Sequence, residues 1–355
     1  MREQKEVLQE TLLDCAKKTV LFFYSNLNDD GSYMIDSKDL SCYYKSPMMF
    51  FLANNIEASN KSLDYIRNHF LTNDGDFKTT ADIKSAKQEY SEYWSYVNGW
   101  IIRAANKLSR NDVIEPANSF FCRFYNEEKM AFLTHSLSDI DAVSDVLTVA
   151  NHGLVNLELG KTDPAIIAGN SLCEAFDRQP EISEAFFLRI CTSSKDPIVV
   201  FDESYSPFYV VKKDCINQLY FMLGYPCAYL ALLYKETNNE HYLIYAKKYM
   251  DFLLGCNGVL NSNFSHKLAW ASSIMYTITN EQKYIEVISS ISSHFIETQD
   301  RNGMWYMSSD INSSFDQSAE IACWFMDISY QLGSLKNSNV DLCSSHEVNS
   351  PSFEF

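Results

Sequence analysis

FIETQDRNGMW, residues 295–305, places a short polar stretch, a glycine turn and a tryptophan at the end of an amphipathic segment. The Asn-Gly pair at 302–303 is typical of a tight turn, because glycine adopts left-handed backbone conformations without steric cost. YIRNHFLTNDGDF at 65–77 follows the same order, and FFYSNLNDDGSY at 22–33 follows it more loosely. DFLLGCNGVL at 251–260 is a weaker fourth copy. The recurrence indicates a repeated structural unit rather than an isolated loop.

The spacing of apolar residues predicts about a dozen helices, because it follows the 3.6-residue helical period. They span 4–27, 45–58, 60–71, 89–108, 112–125, 143–159, 163–178, 217–236, 240–254, 265–279, 281–297 and 316–333. The even-numbered segments, such as YWSYVNGWIIRAANKL at 93–108, are apolar on nearly all sides, whereas the odd-numbered ones carry a charged face. We therefore expect an all-α (α/α)6 toroid of six helical hairpins, with the even-numbered helices forming the inner ring.

Two segments depart from the helical pattern. AFFLRICTSSKDPIVVFDESYSPFYVVKK at 185–213 combines β-branched and aromatic runs with Asp-Pro and Ser-Pro, which predicts a short β-like insertion. Residues 336–355 are polar and lack periodicity, so we expect a flexible C-terminal tail. The remaining residues 1–335 are expected to form a single toroid domain.

Composition restricts the partners and the location of the protein. The chain has 355 residues, a formal net charge of −17 and no block of basic residues, which argues against a nucleic-acid partner. No stretch approaches the ~18 apolar residues of a membrane helix, so we expect no membrane span. The N-terminus lacks the apolar core of a signal peptide, and the ten cysteines are scattered without Cys-x-x-Cys spacing. These features suit reduced thiols and predict a cytoplasmic protein, while the oligomeric state stays open.

The opening stretch also matches the pattern Phe-x3-Gln-x3-Gly-x-Trp, through Phe295, Gln299, Gly303 and Trp305. This pattern is the second half of the QW motif of triterpene cyclases. The chain therefore resembles the terpenoid-cyclase and prenyltransferase class of (α/α) toroids, at the level of the fold. In that family the glutamine and tryptophan stiffen the helix turn and take no part in catalysis, which implies a structural role for the same residues here.

The acidic motifs of that class are missing. SDIDAVSD at 138–145 has Ala142 where the protonating Asp-x-Asp-Asp motif would place its last carboxylate, and no Asp-Asp-x-x-Asp sequence is present. Glycoside hydrolases and sugar epimerases with six helical hairpins share the architecture. The resemblance thus implies a fold and leaves the reaction open.

The predicted catalytic residues lie at the starts of even-numbered helices, where a toroid pocket opens and where free N–H groups favour anions. Asp316 and Glu320 are four residues apart, so their carboxyl groups share a helix face and can supply an acid beside an ionised base. His266 follows a serine N-cap and titrates near neutral pH. Tyr44 precedes Lys45, whose charge can lower the pKa of the phenol.

Further residues at the expected pocket are assigned to substrate binding. They are Tyr93, Trp94, Tyr96, Asp145, Gln218, Tyr225, Lys267, Trp270 and Trp324. Structural alternatives stay open: His266 as a buried packing residue, Asp316 as a helix cap and Lys45 as a solvent-directed side chain. Aromatic residues make up 14% of the chain, which suits either an aromatic-walled cavity or a large core.

The sequence favours a cofactor-independent enzyme, without a bound metal, that uses acid–base residues on a small, partly apolar organic molecule. Cyclisation, isomerisation and dehydration are the candidate reactions, with Lys45 or Lys267 stabilising negative charge. The first alternative is a carbohydrate-active enzyme, a glycoside hydrolase or a sugar epimerase, in which Asp145 or Glu92 would face Glu320 across the pocket. The second is a non-catalytic binding protein whose ring is filled by side chains.

Overall fold

The computed structural model describes residues 2–87, 89–134, 143–306 and 310–334. The expected tail at 336–355 and most of the acidic stretch, 138–142, lie outside these ranges. The longer helices are α1 Arg2–Ser25, α2 Ser46–Leu52, α3 Ile56–Phe70, α4 Trp94–Lys107, α5 Asn111–Phe121, α6 Val146–Glu158, α7 Thr162–Asp177, α8 Phe221–Thr237, α9 Glu240–Leu254, α10 His266–Thr279, α11 Gln282–Thr298 and α12 Ile311–Ser334. One-turn helices occur at Glu89–Glu92 and Ser206–Tyr209, and 3-10 turns at Leu40–Cys42, Cys122–Phe124, Glu203–Tyr205 and Val259–Asn261.

The even-numbered helices form a closed inner ring. Each of α2, α4, α6, α8, α10 and α12 contacts the next, and α12 returns to contact α2. Each outer helix packs along the inner helix that precedes it, and α1 packs along α12. This arrangement is the (α/α)6 toroid that the sequence predicts. None of the helices in the described ranges is both long and apolar enough to cross a bilayer.

The positions of some helix ends differ from the prediction. The second helix was expected to span 45–58, but it ends at Leu52 and a new helix begins at Ile56. Asn54 has a φ of 59°, a left-handed conformation that asparagine tolerates better than most residues. The side chain of Asn55 accepts a hydrogen bond from Ala58 N at 3.0 Å and caps the new helix. Two adjacent asparagines thus break a segment that is continuously periodic in sequence.

Short strands accompany the ring of helices. They are β1 Tyr125–Asn126, β2 Ala131–Phe132, β3 Val143–Asp145, β4 Ala185–Phe187, β5 Arg189–Cys191 and β6 Val210–Lys212. The pairs β1–β2, β3–β5 and β4–β6 are all antiparallel. The last three strands confirm the β-like insertion at 185–213. Because β5 pairs with β3, which leads directly into α6, the insertion is attached to the end of the ring where the inner helices begin.

The glycine turns connect neighbouring outer helices. Gly31, Gly75 and Gly303 have φ values of +86°, +90° and +90°, respectively. Each lies directly against a helix backbone, that of α3, α5 and α1, respectively, where a Cβ atom would clash. The repeated motif therefore places one outer helix against the next. The third copy closes the ring, because it joins the end of α11 to α1.

The residues that resemble the QW motif reinforce this closure. The side-chain amide of Gln299 donates hydrogen bonds to Cys15 O in α1 at 2.9 Å and to Gly303 O at 3.0 Å. Trp305 is buried, and its indole N–H donates to Phe295 O at 2.8 Å. The glutamine and tryptophan thus fasten the turn to α11 and to α1, which is the structural role that the resemblance implied.

Replacing Gly303 with alanine is expected to destabilise the protein more than the same change at Gly160. Both glycines have positive φ, but a Cβ atom on Gly303 would lie 2.5 Å from the carbonyl carbon of Lys18, whereas nothing lies within 4 Å of one on Gly160. The left-handed conformation costs alanine about 1 kcal/mol at either site. The backbone clash adds at least about 2 kcal/mol at Gly303 alone. Urea unfolding measures both variants, and equal losses of stability would show that the turn does not press on α1.

Candidate active site

A pocket of about 450 Å³ opens at the end of the ring where the inner helices begin. All six inner helices, or the residues just before them, contribute to its lining. The walls are mainly aromatic and include Tyr44, Tyr90, Tyr93, Phe208, Phe221 and Phe264. The ring centre next to the pocket is filled, since Trp270 stacks on Trp324 at 4.0 Å and Trp100 meets Trp324 edge-on at 5.4 Å. The pocket is therefore a bowl and not a channel through the ring.

Four charged side chains meet at the bottom of the pocket, and we call this group the charged floor: Lys45, Lys267, Asp316 and Glu320. Glu320 Oε1 lies 2.9 Å from Lys267 Nζ and accepts a hydrogen bond from the Tyr96 hydroxyl at 3.2 Å. Lys45 Nζ donates to the other oxygen, Oε2. The indole N–H of Trp324 also donates to Oε1, at 3.2 Å. An ionised Glu320 can accept all of these hydrogen bonds.

The two carboxyl groups of the charged floor have opposite pKa shifts. Burial raises the pKa of both, because it disfavours the charged form. At Glu320 the attraction of Lys267 and Lys45 outweighs burial and holds the pKa well below its usual value. At Asp316 burial prevails, although Lys45 Nζ lies 2.8 Å from Oδ1, and the pKa is raised. Glu320 thus remains an ionised counterion, whereas Asp316 keeps its proton to a higher pH than an ordinary aspartate does.

The two lysines also differ. Burial lowers the pKa of Lys45, but Asp316 and Glu320 outweigh it, so the pKa is raised. Burial likewise lowers the pKa of Lys267, and repulsion from Lys45 adds to it, so that despite Glu320 the pKa is about 8. Lys267 Nζ also donates a hydrogen bond to the Tyr96 hydroxyl at 2.8 Å. Lys45 therefore remains an ammonium at neutral pH, whereas a fraction of Lys267 is a neutral amine.

The composition of the floor favours a neutral polar ligand group. Its two lysines are matched by two carboxyl groups, Asp316 and Glu320, so the floor has no large surplus of either charge. A buried positive charge attracts the partial negative charge of a carbonyl or hydroxyl oxygen. Within the described ranges, no group of three or more histidine, cysteine, aspartate or glutamate side chains is placed to hold a metal ion.

His266 lies beside the charged floor but does not line the pocket. Its Nε2 is 3.5 Å from Glu320 Oε1, which is long for a hydrogen bond, and the side chain is fully buried. Burial lowers the pKa of His266 in spite of the neighbouring carboxylate. The first helical residue of α10 thus lies beside Glu320, and the second, Lys267, reaches the pocket.

Three of the residues assigned to substrate binding line the pocket: Tyr93, Tyr96 and Lys267. Three others lie next to the charged floor without lining the pocket. The ring of Tyr225 is centred 5.2 Å from Lys267 Nζ, and Trp324 hydrogen-bonds Glu320. Trp270 is stacked on Trp324 and donates its indole N–H to Asp327 at 2.5 Å. These three side chains support the floor from the centre of the ring.

The other three residues of that set make contacts outside the pocket. Trp94 donates its indole N–H to the buried carboxylate of Asp76 at 2.8 Å. Asp145 caps α6, where it accepts a hydrogen bond from Thr148 N at 2.7 Å. Gln218 binds the backbone of β6 at 2.7 Å. All three stand near starts of inner helices, as expected, but their side chains have structural partners.

Sequence reasoning missed several pocket residues. Phe208 comes from the one-turn helix of the insertion, and its ring centroid lies 5.9 Å from that of Tyr93. The Ser-Pro-Phe-Tyr sequence at 206–209 was the available signal, since an aromatic residue in an irregular insertion often covers a site. Gln317 also lines the pocket, and its buried Oε1 has no hydrogen-bond partner among the residues that the structure describes. It is free to bind a ligand.

Glu320→Gln is expected to destabilise the protein strongly, and Asp316→Asn only slightly. Because the pKa of Glu320 is depressed by folding, its carboxylate contributes stability at neutral pH, and this contribution is lost as the pH falls through the folded-state pKa. The amide leaves two buried lysines without their shared counterion, which costs about 3 kcal/mol. The pKa of Asp316 is raised, so an amide there costs less than about 1 kcal/mol. Urea unfolding at about pH 7 compares the two variants, and equal effects would contradict the assignment of charges.

No protein-family model and no curated protein matches the chain. Solved structures share its fold. A D-mannose isomerase superposes with a TM-score of 0.65 and 14% identity, covering 91% of this chain and 97% of that chain. A GH76 alpha-mannanase from Bacteroides thetaiotaomicron gives a TM-score of 0.59 and 13% identity, over 92% and 97%. The type II terpene cyclase MstE from Scytonema gives 0.56 and 10%, over 91% and 99%. These likenesses confirm the (α/α) toroid and the resemblance to the terpenoid-cyclase class, at the level of the fold alone.

Proposed function

We propose that the protein is a cofactor-independent enzyme that moves protons within a small hydroxylated carbonyl compound, by isomerisation or dehydration. The observation that carries this proposal is the charged floor, where Asp316 and Lys267 face one pocket and both titrate closer to neutral pH than usual. Groups of this kind make efficient proton donors and acceptors, because catalysis is best when the pKa of the group is close to the working pH.

Asp316 and Lys267 form the acid–base pair. The catalytic form of the pair has an Asp316 carboxylate and a Lys267 ammonium. The carboxylate takes a proton from the carbon next to the substrate carbonyl, and its raised pKa makes it a stronger base than an exposed aspartate. The ammonium donates a proton to the carbonyl oxygen, with Tyr96 as its hydrogen-bonded neighbour. Return of the proton to a different carbon completes an isomerisation, and loss of a neighbouring hydroxyl group completes a dehydration.

The lysines also stabilise the intermediate. Removal of a proton beside a carbonyl group places negative charge on the oxygen, and buried cations aimed at that charge lower the barrier. Lys45 remains charged because both carboxyl groups of the floor raise its pKa. Glu320 holds Lys45 and Lys267 in position through one carboxylate. The floor is therefore organised before the substrate binds.

The same charges disfavour cyclisation through a carbocation. A positive carbon centre in this pocket would lack a stabilising anion, because the carboxyl groups of the floor are already paired with Lys45 and Lys267. Of the three reactions that the sequence left open, isomerisation and dehydration therefore agree better with the charged floor. The fold is compatible with isomerisation, since a protein described as a D-mannose isomerase has it.

The alternative functions receive less support. Glycoside hydrolysis needs two carboxyl groups on opposite sides of the substrate, but Asp316 and Glu320 project from one helix face and share Lys45. Glu92, which was expected to face them, pairs with Arg189 at 2.5 Å and does not line the pocket. A ring filled by side chains, as in the non-catalytic hypothesis, would leave no space for the 450 Å³ pocket.

Proton transfer is tested by hydrogen–deuterium exchange in D2O. The purified protein is incubated with D-mannose, D-fructose, D-glyceraldehyde or dihydroxyacetone, and NMR follows deuterium at the carbon next to the carbonyl. We expect exchange with at least one compound, and a loss of at least about 100-fold in Asp316→Asn, because the amide cannot accept the proton. Trp94→Phe removes an indole hydrogen bond outside the pocket and is expected to keep the wild-type rate. Undiminished exchange in Asp316→Asn, or none in the wild type, would contradict the proposal.

The pH dependence of the exchange rate is expected to be bell-shaped. The rate falls at low pH, because the Asp316 carboxylate becomes protonated below its raised pKa. It also falls above a midpoint near the Lys267 pKa of about 8, because the proton donor is then lost. Exchange rates measured between about pH 5 and pH 10 cover both the rising and the falling part of this profile. A rate that keeps rising through pH 10 would exclude Lys267 as the acid.

A further inference from the structure

We propose that Lys267 forms a Schiff base with the carbonyl carbon of an aldehyde or ketone bound in the pocket. This inference rests on the proposed function and specifies how the same site holds its substrate. The charged floor would then bind the carbonyl compound covalently and not only through electrostatic attraction.

The position of Lys267 is that of a buried nucleophile. Lys267 lines the pocket, although the residue is only 1% exposed. The rings of Phe221, Tyr96 and Tyr225 surround the nitrogen at 4.5, 5.0 and 5.2 Å. A second cation, Lys45, binds the same carboxylate. Burial of the nitrogen and repulsion from Lys45 outweigh the attraction of Glu320 and lower the pKa to about 8, so the neutral amine, which is the reactive form, is reached more readily than at an ordinary lysine.

Other buried lysines lack one of these features. Lys45 lines the pocket, but both carboxyl groups of the charged floor hold it as an ammonium. Lys84 also has a pKa of about 8, but it is fully buried outside the pocket, where it donates hydrogen bonds to Asp76, Asn98 and a backbone carbonyl. Of Lys45, Lys84 and Lys267, only Lys267 combines access to the pocket with a readily lost proton. Lys45 and Lys84 therefore serve as internal controls.

The reaction balances with groups already in the pocket. The Lys267 amine attacks the carbonyl carbon, a C–N bond forms as the C=O π bond opens, and one amine proton passes to the former carbonyl oxygen. Protonated Asp316 then donates its proton to this hydroxyl group, the C–O bond breaks, and water leaves. The products are an iminium ion, water and the Asp316 carboxylate. No oxidant or reductant is required, and adding water reverses the step.

The Schiff base strengthens the proton transfer proposed above. An iminium carbon accepts the electron pair released when the Asp316 carboxylate removes a proton from the adjacent carbon. The same Asp316 carboxyl group first releases a proton and then takes one. Formation of the Schiff base and removal of the carbon-bound proton both require one proton on the pair of Asp316 and Lys267. The bell-shaped pH profile of the exchange rate is therefore expected with or without the covalent bond. A chemical probe must distinguish the two cases.

Acetylacetone is such a probe, because this small diketone condenses with a neutral amine to a stable enaminone that absorbs in the near ultraviolet. The protein is treated at about pH 7.5, and peptide mass spectrometry measures the rate of modification at each lysine. We expect Lys267 to react at least about tenfold faster than Lys45, which two carboxyl groups hold as an ammonium, and than Lys84, which lies outside the pocket. The rate of acetylacetone labelling at Lys267 should rise with pH, and the midpoint of this rise should match the Lys267 pKa of about 8.

Lys267→Arg is the matched variant, because arginine keeps the positive charge but does not form an imine. Circular dichroism and thermal unfolding establish that the variant is folded. We expect the fast-reacting site to disappear from it, and deuterium exchange to fall with it. Sodium borohydride, added to the wild type with a compound that exchanges, should leave a reduced adduct on Lys267.

The outcomes separate the two proposals. Wild-type protein that exchanges deuterium but shows no preferred labelling of Lys267 would keep the proposed function and overturn the Schiff base. Full exchange activity in Lys267→Arg would overturn it as well. Preferred labelling of Lys267 in a protein that exchanges none of the four carbonyl compounds would support the nucleophile and count against the proposed proton transfer.

Discussion

The contact between the Gly303 turn and α1 is the constraint on which the rest of the structure depends. It closes the ring by placing the end of α11 against the first helix, and Gln299 secures it with hydrogen bonds to Cys15 O and Gly303 O. Closure brings α12 between α10 and α2, so residues far apart in sequence become neighbours. Lys45 then meets Glu320, and an open superhelix of the same hairpins would separate them. The site is a product of the closed topology.

The fold itself gives no reason for placing four ionisable groups at this position. Burying them incurs a large desolvation penalty, and replacing a complete buried ion-pair network by packed apolar side chains is often neutral or stabilising, whereas removing one partner alone is costly. The centre of the ring next to the floor is filled by stacked aromatic rings, which shows that apolar side chains can pack this space. A site with lysines and carboxyl groups in place of a continuous apolar core therefore points to chemistry as the reason for the charges.

The sequence was informative about the fold because its signals are local and repeated. Glycine turns and helices that are apolar on all sides each follow from a few neighbouring residues, and the spacing of Asp316 and Glu320 placed both on one helix face. The sequence does not determine which side chains of an inner helix face the pocket, as Trp94 and Tyr96 show. Both lie in the first turn of α4, but only Tyr96 faces the pocket, because the rotation of an inner helix depends on packing against two neighbours. The pairing of Lys45 with Glu320 spans most of the chain and has no local signal at all.

One helical turn is enough to give the two carboxyl groups different roles. Asp316 lies one turn before Glu320 and has one lysine, Lys45, within 2.8 Å, whereas Glu320 binds both Lys45 and Lys267. Two cations overcome the cost of burial at Glu320 and one does not at Asp316, which makes one group a permanent anion and the other a proton carrier. The pKa values of the two lysines also shift in opposite directions, because Lys45 has two carboxyl partners and Lys267 has one. The unequal sharing of partners among four residues therefore separates a structural ion pair from the proposed acid–base pair, although both are built from the same two residue types.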